Sequence, residues 1–291
     1  MNSYGGQAVI NGVMIMGRNT SVIAVRSPAE EIIKREISIK KLYSSKFNKI
    51  PILRGILSLL DQLRTGVKAI NLSEAISRGE KDSEETVPNL SGFQLFLTFS
   101  VSLLFVIGIF LVGPAVVSRI LNSLGLGDFL ISIIEGIIRL SLVIAYIFFV
   151  GLSDEFKKLF QYHGAEHMAI WTHDNKDDLT IDNLKKYSKE HPRCGTSFIF
   201  LVILISIILF TFVPTSSIIF RVIFKILLLP IVIGVSYELL KFASSSKSKI
   251  LKSILNAPGI WIQFLTTRKP DNSQMEVAIE SLKFAIELNE D

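Results

Sequence analysis

The stretch FLISIIEGIIRLSLVIAYIFFVGL, residues 129–152, holds only two charged side chains, Glu135 and Arg139, in its 24 positions. A helix needs about 20 mostly apolar residues to cross the hydrocarbon core of a bilayer, so this stretch predicts a transmembrane helix. Glu135 and Arg139 are four residues apart and can pair on one helix face, which lowers the cost of burying either charge. Three further segments predict spans of the same kind: residues 94–117, 197–213 and 217–240.

Composition excludes several classes of protein. Hydrophobic residues make up 49% of the 291 residues, and the mean hydropathy is +0.46. These values exclude a disordered chain and are not typical of a soluble domain. The single cysteine excludes an internal disulfide. The lysines are scattered without interleaved aromatic residues, so no nucleic-acid partner is expected despite the net charge of +5.

The basic residues predict the orientation of the spans. Of the 31 Lys and Arg residues, 27 lie in the three long polar regions, residues 1–93, 153–196 and 240–291. The two short connections between spans, residues 118–128 and 214–216, contain one basic residue, Arg119. Because cytoplasmic loops carry the excess of Lys and Arg, both termini and the 153–196 loop are predicted to be cytoplasmic. Arg221 and Lys225, near the outer end of the fourth span, are expected to extend their side chains outward.

The N-terminal polar region, residues 1–50, predicts a small cytoplasmic sheet. VIAVR at 22–26 and EIIKREISIKK at 31–41 alternate in hydrophobicity and are separated by the turn signal SPAE. The preceding segment GGQAVINGVMIMG contains four glycines, whose spacing indicates that the backbone packs closely or bends there.

Amphipathic helices are predicted on both sides of the spans. In residues 51–93, apolar side chains repeat at helical spacing over 51–72, and a polar linker follows. This helix either lies on the membrane surface or packs on the spans. In residues 241–291, Trp261 suits an interfacial anchor, and Ser273 with Glu276 predicts a capping box that opens the last helix.

The chemistry-bearing residues are concentrated in the 153–196 loop. All four histidines lie there, and YHGAEH at 162–167 is predicted to belong to a helix that continues the second span. His163 and His167 would then share one face, with Glu166 beside them. The order His-x-x-Glu-His is the inverted zincin pattern, in which the two imidazoles hold zinc and the glutamate is the general base. Glu166 is therefore the candidate catalytic residue.

A second motif, HPRC, adds His191 and the only cysteine, Cys194. Imidazole and thiolate together favour zinc. Glu238, near the cytoplasmic end of the fourth span, is a further candidate as a ligand, a base or the partner that orients a histidine. The candidate Zn2+ ligands are His163, His167, His191, Cys194 and Glu238. Two alternatives stay open: hydrogen-bonded histidines without metal, and a Cys194 nucleophile with a histidine base.

Several motifs taken together resemble the YqhQ-like family of bacterial multi-pass membrane proteins, a family of unknown function. The stretches that carry the resemblance are GGQAVINGVM, PILRG, DEFKKLFQYHGAEH, HPRCGTSF, SYE and PGIWIQFLTT, in this order along nearly the whole chain. The resemblance implies residence in the bacterial cytoplasmic membrane and supplies no activity. The first family motif usually has a glutamate where this chain has Asn11, which favours a structural role for that motif.

The sequence therefore predicts a mainly α membrane protein with four transmembrane helices in 94–240, a small N-terminal β-sheet and amphipathic interfacial helices. The first functional hypothesis is a zinc-dependent hydrolase at the cytoplasmic face, acting on a lipid or a membrane peptide. The second is a scaffold that assists the assembly of other membrane proteins, in which the site is structural. A transporter that uses Glu135 and Arg139 ranks third because four spans are few for a transporter.

Overall fold

The computed structural model has a small sheet followed by helices that include long apolar ones. It describes residues 4–17, 20–38, 46–80, 92–192, 194–213, 217–246 and 248–290. The strands are β1 (Gly5–Val9), β2 (Gly12–Met16), β3 (Ser21–Arg26) and β4 (Ile32–Ile37). The helices are α1 (Leu53–Ser77), α2 (Gly92–Ile107), α3 (Gly113–Ser123), α4 (Asp128–Val150), α5 (Asp154–Asp174), α6 (Ile181–Leu184), α7 (Thr196–Phe210), α8 (Ile218–Ser245), α9 (Lys249–Thr266) and α10 (Asn272–Glu290).

The predicted N-terminal sheet is confirmed, and the glycine-rich segment forms its first hairpin. The four strands are antiparallel and follow the order β1-β2-β3-β4. Val9 pairs with Gly12 across a two-residue turn, and Asn11 takes the positive φ of 50° that this turn requires. Asparagine tolerates this conformation better than most residues. Asn11 therefore has a structural place in the hairpin.

Helices cover both faces of the sheet. Alternate residues of β2 and β3 point to opposite faces, as the period of a strand dictates. One face packs against α5 and α10 through Val13, Ile15, Val22 and Ala24. The other face packs against α1 through Met14, Ile23 and Val25. The sheet, α1, α5 and α10 therefore form one body, called the polar body below because the polar regions of the sequence supply it, and the N- and C-terminal parts of the chain both contribute to it.

Three helical segments of the described chain are long and apolar enough to cross a membrane: Ser100–Ser123, Phe129–Val150 and Ile219–Phe242. The first runs through α2 and α3, which are joined by one π-helical turn at Gly108–Val112, just before Pro114. Such a turn re-aligns a helix where proline removes a backbone donor. The third predicted span corresponds to α7, which is apolar but has only 15 residues. At 1.5 Å per residue, α7 is about 22 Å long, which is shorter than a typical hydrocarbon core.

Helix α1 packs on α8 and on the sheet. A Cβ at Gly55 would lie 2.6 Å from the Tyr237 side chain, and one at Gly234 would lie 2.2 Å from Ile52, so the two helices meet at glycines. Of the two alternatives that the sequence left open for this helix, the structure has α1 packed on α8, the fourth predicted span. The same helix continues to Ser77 and so includes the start of the predicted linker, while 81–91 fall outside the described residues. Leu60, Leu63, Val67 and Ile70 of α1 are exposed.

The apolar helices enclose one carboxylate with three basic side chains. The Glu135 carboxylate accepts hydrogen bonds from Arg139 Nη2 at 3.1 Å and from Lys225 Nζ at 2.5 Å, and Arg221 Nη2 lies 3.0 Å away. The predicted pairing of Glu135 with Arg139 is confirmed. The expected outward extension of Arg221 and Lys225 is wrong, because these residues are only 2% and 0% exposed. They turn inward because Glu135 offers a counter-charge within the bundle.

The C-terminal region begins with a helix that exposes apolar side chains and ends with one that buries them. Trp261 on α9 is exposed, together with Ile250, Ile254 and Phe264. Helix α10 instead buries its apolar face against the sheet and α5. Its capping box is formed by Asp271 and Gln274, which exchange two hydrogen bonds of 2.9 Å, and not by Ser273 and Glu276 as predicted. Asp271 is the better N-cap because it directly follows Pro270, two residues earlier than the predicted serine.

Candidate metal centre

Helix α5 supplies the two histidines of the YHGAEH motif. It is a separate helix, because α4 ends at Val150 and the Ser153 hydroxyl caps a new start by accepting a hydrogen bond from Phe156 N at 3.4 Å. The expected continuation of the second span is therefore wrong. His163 and His167 do share one face of α5, and their ring centroids are 4.4 Å apart.

Two backbone carbonyls fix the orientation of these rings. His163 Nδ1 lies 2.9 Å from the Thr266 carbonyl oxygen, and His167 Nδ1 lies 2.6 Å from the Lys189 carbonyl oxygen. A carbonyl oxygen only accepts, so each Nδ1 carries the proton and each Nε2 of a neutral ring keeps its lone pair. Metal-binding histidines characteristically donate their second N–H to a carbonyl or carboxylate in this way. Both imidazoles are thus prepared for ligation through Nε2.

Cys194 completes a group of three. Its Sγ lies 3.4 Å from His163 Nε2, and one ligand atom from each of His163, His167 and Cys194 lies within 4.8 Å of the others. Tetrahedral zinc, with Zn–N near 2.1 Å and Zn–S near 2.3 Å, places its ligand atoms roughly 3.3 to 3.8 Å apart. The donor set therefore fits zinc after a small contraction. The same 3.4 Å contact also fits a thiol–imidazole pair, the arrangement of a cysteine nucleophile with its base.

Glu166 lies beside this group in the interior. It is only 3% exposed, and its Oε2 is 3.5 Å from His167 Nε2. Strand β1 confines the carboxylate, because a Cβ at Gly6 would lie 2.5 Å from Glu166 Oε1. The glycine-rich segment was predicted to pack closely somewhere, but its contact with Glu166 had no signal in the sequence. Glu166 is therefore held next to the predicted ligands.

His191 and Glu238 lie outside the group of three. The His191 backbone exchanges hydrogen bonds of 2.7 and 2.9 Å with the Gln263 side chain, and its Nε2 is 3.6 Å from Asp174 Oδ2. Its ring packs edge-on against Trp171, with centroids 4.6 Å apart. The Glu238 carboxylate accepts two hydrogen bonds from Arg54, so it holds α1 against α8. Both residues have evident structural roles where the sequence offered them as ligands.

The end of α9 and the segment that follows it are the part of the site that the sequence did not reveal. Thr266 supplies the carbonyl for His163, and Arg268 N donates to the Phe160 carbonyl at 2.8 Å. A Cβ at Gly164 would lie 2.3 Å from the Arg268 carbonyl oxygen, so the glycine of YHGAEH lets this segment cross α5. Gly164 was the only sequence signal for this crossing.

Two titratable groups near the site have shifted pKa values. Tyr162 lies in the core with the sheet and α10, and burial raises its pKa to about 12, so its hydroxyl stays protonated near neutral pH. Burial alone would raise the pKa of Glu190, but hydrogen bonds from Lys189 and Ser188 outweigh it and hold that pKa below its usual value. The Lys189 ammonium is therefore paired with an ionised carboxylate, at 2.5 Å.

The fold and the site define a class: a mainly helical protein with apolar helices long enough to cross a membrane and a His/His/Cys group on its polar body. Residues 50–288 match the family described as "Protein of unknown function (DUF1385)". The chain belongs to this family. It is also 32% identical over 297 residues to "Uncharacterized protein YqhQ" of Bacillus subtilis (strain 168), covering 98% of this chain and 93% of that protein. No solved structure matches the chain. The resemblance to the YqhQ-like family is confirmed, and the family assigns no activity.

Proposed function

We propose that this protein is a multi-pass protein of the bacterial cytoplasmic membrane that binds zinc through His163, His167 and Cys194 and uses the site for hydrolysis. The observation that carries the proposal is the orientation of the two imidazoles. Each donates Nδ1–H to a backbone carbonyl and keeps Nε2 for a ligand beside the thiol. Three protein ligands with one open position are the arrangement of catalytic zinc.

The proposed topology has four crossings, with both termini on the cytoplasmic side. Helices α7 and α8 pack against each other as consecutive elements, and α8 contacts α1 of the polar body while the start of α7 contacts α9. If α8 crosses the bilayer, α7 has to return the chain across it, aided by the apolar residues that follow Phe210. A short span is accommodated by local thinning of the bilayer at modest cost. The excess of Lys and Arg in the polar regions supports the cytoplasmic assignment.

In this proposal Glu166 is the general base. A zinc ion in the site would act as a Lewis acid and lower the pKa of water to about 7. Glu166 is buried and lies 3.5 Å from a ligand nitrogen, so its carboxylate can accept a proton next to the open position. The end of α9 contacts His163 through Thr266, and α4 ends just before α5 begins. Both α4 and α9 expose apolar residues, which in the proposed topology face the bilayer. The substrate class we propose is therefore a lipid or a membrane peptide.

A structural zinc site in an assembly scaffold is the second candidate. The observation that favours it is the position of Glu166 beside His167. Glu166 Oε2 lies 3.5 Å from His167 Nε2, and in this candidate the carboxylate would turn toward the metal to become a fourth ligand and close the shell. The metal would then hold Cys194 against α5. Other membrane proteins would be the partners of such a scaffold.

Metal analysis of the purified full-length protein tests the shared part of both candidates. Inductively coupled plasma mass spectrometry should find about one zinc per chain, which the double substitution His163→Ala/His167→Ala removes. His173→Ala is the matched control, because His173 lies on the same helix and outside the group of three. Protein purified without chelator that contains no metal, or equal metal in the double variant, would overturn the zinc proposal.

Glu166→Gln separates the catalytic candidate from the structural one. If Glu166 is a base, the variant keeps its zinc and the visible absorption spectrum of its cobalt(II) form is nearly unchanged, while function in cells is lost. If Glu166 is the fourth ligand, the variant binds metal more weakly and the cobalt(II) spectrum shifts with the change in coordination. Neither result requires the substrate to be identified beforehand.

A further inference from the structure

A pocket of about 550 Å3 lies where the end of α4 meets the end of α9 and the segment that follows it. Three basic residues line it, Lys189, Arg268 and Lys269, and none of the lining residues is acidic. The volume is within the range of pockets that bind small molecules. The pocket is therefore suited to an anion.

The remaining lining of the pocket is largely apolar. Ile147 and Phe148 line it from α4, Leu152 from just after α4, and Phe264 and Leu265 from α9. Phe148, Leu152 and Phe264 are also exposed at the surface of the protein. The apolar lining is thus continuous with the surface that faces the bilayer if α4 crosses it. A ligand for this pocket needs an anionic part and an apolar part.

The basic side chains are held in place by the fold. Lys189 Nζ donates to Thr267 Oγ1 at 3.1 Å and lies 5.5 Å above the Phe264 ring, while Glu190 neutralises it. Arg268 Nη2 donates to the Gly151 carbonyl at 2.9 Å, and both residues line the pocket. Allowing for Glu190, Lys189, Arg268 and Lys269 together carry a net charge of about +2.

The position along the chain matches the headgroup layer of a membrane. The candidate span on α4 ends at Val150, and the pocket is lined by residues on both sides of that point. Lipid phosphates lie at this depth, just outside the hydrocarbon core. We propose that the pocket binds the phosphate headgroup of an anionic phospholipid, with the acyl chains against Phe148 and Phe264. This inference rests on the proposed membrane insertion and not on the metal.

The pocket shares a wall with the candidate metal centre. Lys189 lines the pocket and also supplies the carbonyl that orients His167. Thr266, between the lining residues Leu265 and Thr267, supplies the carbonyl for His163. A bound lipid would therefore stabilise both segments that orient the imidazoles.

Lipid binding by the full-length protein tests the proposal. Native mass spectrometry would titrate the detergent-purified chain with phosphatidylglycerol and, separately, with phosphatidylcholine. We expect tighter binding of phosphatidylglycerol, weakened about 10-fold or more by Arg268→Gln/Lys269→Gln, since each basic group near an anionic lipid contributes roughly a fivefold factor. The matched control is Lys157→Gln/Lys158→Gln, which removes the same charge from α5 outside the pocket.

Three outcomes would overturn the proposal. Equal affinity for the two lipids would show no headgroup recognition, and equal weakening by the control pair would show general attraction only. Inorganic phosphate that competes at the same sites without any lipid preference would assign the pocket to a soluble anion. Lys269→Gln alone, an exposed substitution, replaces the double variant if loss of the Arg268 contact prevents folding. Zinc content measured on the same samples separates a failure here from a failure of the metal proposal.

Discussion

The substitution Glu135→Gln removes the only carboxylate that the structure places beside three buried basic residues. Arg139, Arg221 and Lys225 all lie within 3.1 Å of the Glu135 carboxylate, and the Ser118 hydroxyl also donates to it. Removing one partner of a buried ion pair costs about 3–5 kcal/mol, because the remaining charge is left uncompensated. Here three charges lose their counter-charge at once, so we expect a loss at the upper end of this range.

Thermal unfolding in detergent, followed by fluorescence-detected gel filtration, is the measurement. For a chain of this size, 1 kcal/mol shifts Tm by about 2–4 °C, so a loss of about 5 kcal/mol should lower the Tm of Glu135→Gln by roughly 10 °C or more. The paired variant Glu135→Gln/Lys225→Met restores the net charge of the wild-type cluster. We expect it to recover part of the loss, because the two positions are in direct contact and their effects are not additive.

Two results would refute this reasoning. A change in Tm below about 2 °C for Glu135→Gln would mean that the three basic residues are not charged together in the folded protein. Strict additivity of Glu135→Gln and Lys225→Met would mean that the 2.5 Å contact contributes nothing. Glu135→Asp, which keeps the charge and shortens the side chain, should lie between the wild type and Glu135→Gln.

Two further predictions concern the contact of β1 with Glu166 and the contact of α1 with α8. Gly6→Ala should lower the free energy of unfolding by about 1–3 kcal/mol through overpacking, because its Cβ would lie 2.5 Å from the buried Glu166 carboxylate. Gly5→Ala, with no atom within 4 Å of its Cβ, is the control. Equal Tm shifts for the two variants would contradict the packing. Glu238→Gln should keep the zinc content of the wild type while it lowers stability by about 1 kcal/mol through its lost pairing with Arg54. Loss of zinc in that variant would return Glu238 to the ligand set.

The sequence was sufficient for features set by local periodicity. Alternation predicted the sheet, runs of apolar residues predicted the long helices, and the spacing of His163 and His167 placed both rings on one helix face. Each of these depends on residues close in the chain, for which strand and helix geometry fix the side-chain direction. Cys194 lies beside them, as its residue type indicated, although nothing in the local pattern required the 191–194 turn to fold back.

The features that the sequence did not reveal depend on contacts between distant segments. Arg221 and Lys225 lie near the outer end of the fourth predicted span, where basic side chains often extend toward water. They turn inward because Glu135, on another helix, offers a counter-charge. Glu238 is a plausible ligand by residue type until Arg54, 184 residues earlier, is found to occupy its carboxylate. A residue type shows what a side chain can bind, and its tertiary partners decide what it does bind.

The backbone carbonyls that orient the two histidines are also contacts between distant segments, and they affect metal binding. A backbone carbonyl has no residue-type signal, yet the Thr266 and Lys189 carbonyls decide which nitrogen of each ring is available. These two carbonyls belong to segments that meet α5 at Gly164 and line the basic pocket. A change that displaces either segment should therefore alter metal affinity without touching a ligand. The effect would be weaker binding of about 10–100-fold, as for other partners that orient metal ligands.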